Sequence, residues 1–471
     1  MSLLNLQKRR DLIFGKMAQL NVVKLSTLEN HRLDPEFYKE EYTKIYSDLS
    51  KFSTEFLGNL CFVTDGQHGY FKVDEKSEIR QIIGENILSE FNIIDKTTAT
   101  RLDKSTHLKN LRSSLEENDL ILSTVGTIGK VGVVLKEVLP ANINQSVCRI
   151  KVEKKKIVDP IFLSIFLKSK YGQSQIEKYS TGQVQIGFYL HKVRNLIIPL
   201  IELSKQKEIR EKGLESLDFY KKSVQLFNEA EELLLKELGL KDYQPKFQIS
   251  FISNFLDTTE NGRIDADYYQ PKYEVLKKKL NKFENHNLSD IAIVTDGDHG
   301  SPEYLEDGVI FLRALNVRKY FLDFKDVKHV AEDYHKNFLK RSILREGDVV
   351  ITKIGTIGVS AVIPNIEANT TASVGKIRIK KEFLKEFNPY YLSSFFNTLA
   401  GKLLIEMDTS GSVQTGIILK TLRNLEIPKI EYSKQSTIAE KIKQGIKFKE
   451  EAEKTLEEAI NQVEKIIEEH I

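Results

Sequence analysis

The feature that most constrains this chain is that it says nearly everything twice. Arg32-Leu33-Asp34, followed by Phe37-Tyr38, returns in the second half as Arg263-Ile264-Asp265, followed by Tyr268-Tyr269. Val63-Thr64-Asp65-Gly66-Gln67-His68-Gly69 returns at the same offset as Val294-Thr295-Asp296-Gly297-Asp298-His299-Gly300. Gly126-Thr127-Ile128-Gly129 returns as Gly355-Thr356-Ile357-Gly358, at a slightly shorter offset. The segment Gly182-Gln183-Val184-Gln185 pairs with Gly411-Ser412-Val413-Gln414. Arg194-Asn195-Leu196 pairs with Arg423-Asn424-Leu425, and Ser204-Lys205-Gln206 with Ser433-Lys434-Gln435. Six blocks in one order at nearly one spacing mark a duplicated domain, and the period is far too long for a solenoid. Between the blocks, residues 70–117 and 301–346 share little that aligns. One framework presenting two different surfaces is the expectation.

A chain of 471 residues with 41% hydrophobic and 29% charged content can bury a core in each half. No apolar run reaches the ~18 residues a membrane span needs. Lys8, Arg9, Arg10 and Asp11 near the start, without an apolar stretch, give no sign of a signal peptide. Two cysteines, Cys61 and Cys148, are too few for a disulfide framework, so a cytoplasmic protein is expected. The formal net charge of +3 neither demands nor forbids a nucleic-acid partner.

Each copy reads as mixed α and β. Helix-like stretches run from Pro35 to Leu49 and from Pro271 to Phe283. Residues 119–124 and 348–353 read as buried strands entering a Gly-Thr-Ile-Gly reversal, with return strands at 131–135 and 359–363. Asp159-Pro160 and Asn388-Pro389 read as the N-cap and first residue of helices reaching about Lys178 and Glu406. Short strands end at Pro199 and Pro428.

Two long helices close the copies, with Ser204 and Ser433 as expected N-caps. Ile209, Leu214, Leu217, Val224, Phe227, Leu234 and Leu238 form a stripe on the first. Ile438, Ile442, Ile446, Ala452, Leu456, Ile460, Val463 and Ile467 form one on the second. At ~1.5 Å per residue each is roughly 54–57 Å long. A single stripe needs a partner. The other helix is the favoured one, in an antiparallel pair with a module at each end and a pseudo-twofold axis; a helix folded back on its own module is the alternative.

Taken together, the Thr-Asp-Gly-x-His-Gly turn, the Gly-Thr-Ile-Gly hairpin, the Gly-x-Val-Gln segment, the x-Pro strand end and the Lys-Gln-led helix, all present twice, resemble the specificity subunit of type I restriction–modification systems. Each motif is short, but the doubled, ordered set is specific, and it covers nearly the whole chain apart from residues 1–21. The fold this implies is α+β: two globular mixed α/β target recognition domains separated by two long antiparallel helices, a coiled coil, with pseudo-twofold symmetry. The corresponding boundaries are 1–203 and 243–432 for the two recognition domains and 204–242 and 433–471 for the spacer helices.

In that family each domain reads one half of a split, asymmetric site in double-stranded DNA. Two methyltransferase subunits dock on the helices and neighbouring faces, restriction/translocase subunits join them, and the specificity subunit is not an enzyme. The resemblance implies no cofactor in this chain; S-adenosylmethionine, ATP and Mg belong to the partner subunits. A spacer of the length argued above also suits readers one helical turn of DNA apart, ~34 Å. A specificity subunit of another methylase–nuclease type, or a coiled-coil scaffold with duplicated protein-binding domains, are the competing readings.

A self-contained enzyme is disfavoured. Asn388-Pro389-Tyr390-Tyr391 lacks the second proline of an adenine-methyltransferase motif, and its counterpart is Asp159-Pro160-Ile161-Phe162. His68 and His299 have too few ligand partners for a metal site; they stabilise a turn or face DNA. The Gly-Thr-Ile-Gly blocks enter a strand, so they are not phosphate-cradling P-loops, although Thr127, Lys130, Lys353 and Thr356 suit DNA phosphates. Gln183, Gln185, Ser412 and Gln414 recur in both copies and so should hold a loop or touch phosphate rather than encode two half-sites. Base readers belong in the divergent middles: Lys104, His107, Lys109 and Arg112 in the first, Arg313, Asn316, Arg318 and Lys319 in the second.

Overall fold

The computed structural model describes residues 21–25, 28, 32–69, 71–180, 187–300, 302–409 and 416–470. Two compact units emerge, Met1–Lys221 with Lys449–Ile471, and Lys222–Phe448. The division falls inside both long helices, which extend over Leu203–Glu237 and Tyr432–Glu469.

In the first unit Leu120–Ser123, buried along its whole length, lies inside a six-stranded sheet. It pairs antiparallel with Val131–Val133 across the Gly-Thr-Ile-Gly hairpin and with Val147–Val152 on its other side. Cys61–Asp65 pairs with the far edge of Val147–Val152. A continuous apolar strand is what a sheet covered on both faces requires. A smaller sheet joins Arg80–Ile82, in parallel, to Ala141–Ile143. The second unit repeats this arrangement. Val349–Thr352 pairs with Ser360–Val362 and Val374–Ile379, Ala292–Asp296 pairs with Val374–Ile379, and Val309–Leu312 runs parallel to Ala368–Thr370. The middles that do not align in sequence therefore share their main strand pairings, although their turns differ.

The expected single helix after each x-Pro step is two helices, Pro160–Lys168 and Lys170–Ser180 in one copy, Pro389–Asn397 and Leu399–Thr409 in the other. Asp159 and Asn388 do cap them, accepting from the amides of Ile161 and Phe162 and of Tyr390. Ser204 and Ser433 are not N-caps, because the long helices have already begun at Leu203 and Tyr432. The residue that matters in this block is the glutamine. Buried Gln206 accepts from the Asp159 amide at 2.8 Å and donates to Ile157 O and Ile201 O. Gln435 accepts from the Asn388 amide at 2.8 Å and donates to Glu386 O and Ile430 O. Each glutamine thus ties the start of a long helix to the start of a core helix and satisfies carbonyls that burial would otherwise leave unpaired.

Within each unit the long-helix segments run antiparallel. In the first, Ser216 donates to Ala452 O at 2.6 Å, Lys212 meets Glu458 at 3.1 Å and Gln462 meets Glu208 at 3.4 Å. In the second, Lys441 meets Glu229 at 2.6 Å and Lys434 meets Glu237 at 3.3 Å. The stripe also packs on the module. Ile209, Leu456, Ala459 and Val463 share a core with Leu163 and Ile165, as Leu234, Leu238, Ile438 and Ile442 do with Leu392 and Leu403. Within each unit, then, the stripe meets both the other helix and the module.

Candidate nucleic-acid interface

The turn after the first core strand depends on a glycine for space. A Cβ on Gly66 would lie 1.9 Å from Ile143 O, and one on Gly297 would lie 1.8 Å from Thr370 O. The chain thus crosses directly over the end of the parallel strand, and the aspartate before the glycine points at a basic cluster. In the first unit Asp65 meets His68 Nε2 at 3.1 Å and Arg112 Nη2 at 3.0 Å; His68 is 70% exposed and Arg112 64%. In the second, buried Asp296 meets His299 at 3.3 Å, Arg341 at 3.2 Å and Lys353 at 2.6 Å.

Arg341 is not among the sequence candidates, although a signal exists. Leu111-Arg112-Ser113 and Lys340-Arg341-Ser342 stand apart by the same offset as the hairpin blocks, inside stretches that otherwise differ.

The hairpin tips are alike in both units. Ser123 Oγ donates to Thr127 O and accepts from the Lys130 amide; Thr352 Oγ1 donates to Thr356 O and accepts from the Val359 amide. Thr127 and Thr356 themselves are exposed, and Lys130 is half-buried. In the second unit a cleft of about 790 Å³ gathers His299, Arg313, Arg318, Lys319 and Thr356 from separate stretches of chain. Arg313 is held by Asp326 at 2.9 Å, Arg318 lies 3.5 Å from Asp323, and Lys319 is paired to Glu231 at 2.6 Å.

Three sequence candidates prove to be framework. Asn316 is fully buried; it accepts from the Arg313 amide and donates to Asp323 O, as Asn86 accepts from the Ile83 amide in the other copy. Lys353 is buried against Asp296 and Ala372 O. His107 is half-buried with Nδ1 2.6 Å from Asn142 Oδ1, while Asn142 donates to Asn110 O and Ser113 Oγ. The second unit brings together His335, Asn369 and Ser342, with the asparagine amide reversed: Asn369 Nδ2 faces His335 Nδ1 and Ser342 Oγ donates to Asn369 Oδ1. Lys104 and Lys109 are exposed on the helix Lys104–Lys109, whose start is capped by Asp103. Gln183, Gln185, Ser412 and Gln414 lie outside the described residues.

One difference between the copies has a measurable consequence. Arg149 faces Thr64 on the sheet and is paired to Asp119 at 2.6 Å; Lys376 faces Thr295 at the equivalent place. In the second unit, however, the equivalent carboxylate, Asp348, is taken by Arg378 at 2.6 Å, and the Lys376 ammonium donates to Arg341 O at 3.0 Å. Burial, with Arg378 and Arg345 nearby, pushes Lys376 down to about 8 from 10.5, against the pull of Asp348. Between those values the unfolded chain holds a proton that the folded chain has lost, so this group makes stability rise with pH across the window. Lys376→Met should flatten that rise, by at most about 1.4 kcal/mol per pH unit. Unfolding midpoints of wild type and variant from pH 7 to 10.5 check this; parallel curves would remove Lys376 as the cause.

A family model, the type I restriction modification DNA specificity domain, matches residues 66–222 and 326–462, more than half of the chain. The chain belongs to this family. It is 32% identical over 132 residues to the type I restriction enzyme EcoBI specificity subunit of Escherichia coli, a match spanning 28% of this chain and 27% of that protein. The crystal structure of a type I restriction–modification S subunit from M. genitalium covers 88% of this chain and 95% of its own, at 13% identity and a TM-score of 0.44. A specificity subunit structure from Thermoanaerobacter tengcongensis covers 87% and 96%, at 15% identity and 0.29. Within this specificity-domain protein, His68, Arg112, Arg341 and both Gly-Thr-Ile-Gly hairpins fall inside the matched segments, whereas Arg313, Arg318 and Lys319 fall outside them.

Proposed function

We propose that the chain is the DNA-reading subunit of a type I restriction–modification complex, each unit recognising one half of a bipartite, asymmetric site. The chain itself is non-catalytic, and methylation and cleavage reside on partner subunits that use S-adenosylmethionine, ATP and Mg. The observation that carries this reading is one scaffold bearing two chemistries. The buried asparagine caps place Ile83 and Leu88 of the first unit where the second has Arg313 and Arg318, and the turn that follows carries Lys319 in the second unit alone. A frame duplicated so closely, with half-buried apolar residues in one copy replaced by arginines in the other, suits two different base sequences.

Partner docking has a duplicated candidate too. Leu25 and Leu33 are exposed in the first unit. Leu256 and Ile264, their counterparts at the offset of the Arg-x-Asp block, are exposed in the second, beside Phe247, Ile249 and Ile252. Apolar side chains exposed at equivalent positions suit two copies of one partner, here a methyltransferase subunit.

Methylome sequencing of the host, with and without this gene, tests the reading. One split motif with two dissimilar halves and a fixed gap is expected, vanishing on deletion, together with co-purification of two methyltransferase subunits per chain. A continuous or palindromic motif, or isolation of the chain alone from cells co-expressing the methyltransferase, would overturn it.

A further inference from the structure

Asp296 also pairs with buried Lys353, but the exposed histidine and arginine of the Asp-His-Arg cluster in each unit add little to the fold. Exposed ion pairs contribute about 0–1 kcal/mol, and Arg112 at 64% and Arg341 at 57% exposure seal nothing. What the carboxylate does achieve is order. Asp65 meets the Arg112 guanidinium and the His68 ring together, and Asp296 does the same for Arg341 and His299. Arg341 is further fixed by donating from Nη2 to Gly297 O at 3.2 Å. The guanidinium keeps donors directed at solvent, and its position is set before any ligand arrives.

The arginine also stands at the same place in two copies whose neighbouring walls have diverged. A residue common to both readers cannot distinguish two half-sites. It can contact the one part of the duplex that is the same at both, the sugar-phosphate backbone. We therefore propose that Arg112 with His68, and Arg341 with His299, are a duplicated phosphate clamp, with Asp65 and Asp296 as its positioning residues. This rests on the DNA-reading function proposed above and adds a division of labour to it: the clamp supplies register and affinity, and the cleft wall supplies sequence.

The test uses the full chain co-purified with its methyltransferase partner. Binding of two fluorescein-labelled duplexes, one carrying the methylome motif and one scrambled, is followed across a potassium chloride series. Each neutralised phosphate contributes about 0.9 to the slope of log K against log salt. The pair Arg112→Gln and Arg341→Gln should lower the slope by about 2 on both duplexes and leave the methylated motif unchanged. The pair Arg112→Lys and Arg341→Lys, which keeps both charges, should restore the slope. The clamp is refuted by an unchanged slope in the Gln pair, by a loss confined to the motif duplex or a changed motif, or by a slope that Lys fails to restore. If wild type does not prefer the motif duplex at all, the function proposed above fails instead, whatever the variants do.

Discussion

Alanine at Gly66 or Gly297 should cost about 3 kcal/mol of stability in the unit that carries it, the upper end of what overpacking a close-packed site typically does. The added carbon would lie 1.9 Å from Ile143 O or 1.8 Å from Thr370 O, and neither carbonyl can move aside. Ile143 ends a strand paired in parallel to Arg80–Ile82, with Asn144 bridged to Gln67. Thr370 O accepts from the Asp298 amide at 3.0 Å, and its strand is paired to Val309–Leu312. Relief must come from the turn, which carries Asp65 and His68 or Asp296 and His299, so half-site binding should fall along with stability. Gly69 is the control. It has a φ of +96° but open space around it, so Gly69→Ala should cost only the left-handed strain of about 1–2 kcal/mol. Chemical denaturation of the three variants separates the cases. Equal losses at Gly66 and Gly69 would show that backbone conformation, and not the crossing, is what the glycine provides.

How much of this is legible in the sequence follows from how local each feature is. The hairpins, the helix N-caps at Asp159 and Asn388 and the stripes of the long helices are set by neighbours within a few residues, and they are readable. The beginning of each long helix is misread as a serine cap, since a serine before an apolar stripe is the ordinary one; Gln206 and Gln435 act through amides 47 residues away. The kinship of the middles is hidden for the same reason. Arg80–Ile82 finds its parallel partner far downstream in Ala141–Ile143, and what the copies preserve there is buried geometry: Asn86 with Asn316, and His107-Asn142 with His335-Asn369. Polar residues in a divergent stretch read as base readers, yet Asn316 and His107 belong to that hidden frame. Lys353 reads as a phosphate contact, but its charge is consumed by Asp296, a residue 57 positions earlier.

Replacing Arg313, Arg318 and Lys319 together by Ile, Leu and Ser should abolish recognition of one half-site while leaving the other intact. Ile and Leu are what the first unit carries at the places of Arg313 and Arg318, after the same asparagine cap, and serine is a small neutral replacement at the exposed Lys319, so the scaffold should accept them. The interactions given up are the pairs to Asp326, Asp323 and Glu231, the bond from half-buried Arg313 to Asp326 O and the Lys319 ammonium over the Tyr320 ring, which, mostly near the surface, stabilise the unit modestly. Folding and partner binding should therefore persist. The cost falls on DNA: a cationic side chain paired to guanine O6 and N7 is worth about 1–3 kcal/mol of discrimination, so losing even one relaxes that position roughly ten- to a hundredfold. Methylome sequencing of a strain carrying the triple variant should show the half-motif read by the first unit unchanged and the other half degenerate or replaced. A wild-type motif would place base reading elsewhere on the second unit. Loss of both halves would mean that the two units do not read independently, and the division between a shared frame and a private wall would have to be abandoned.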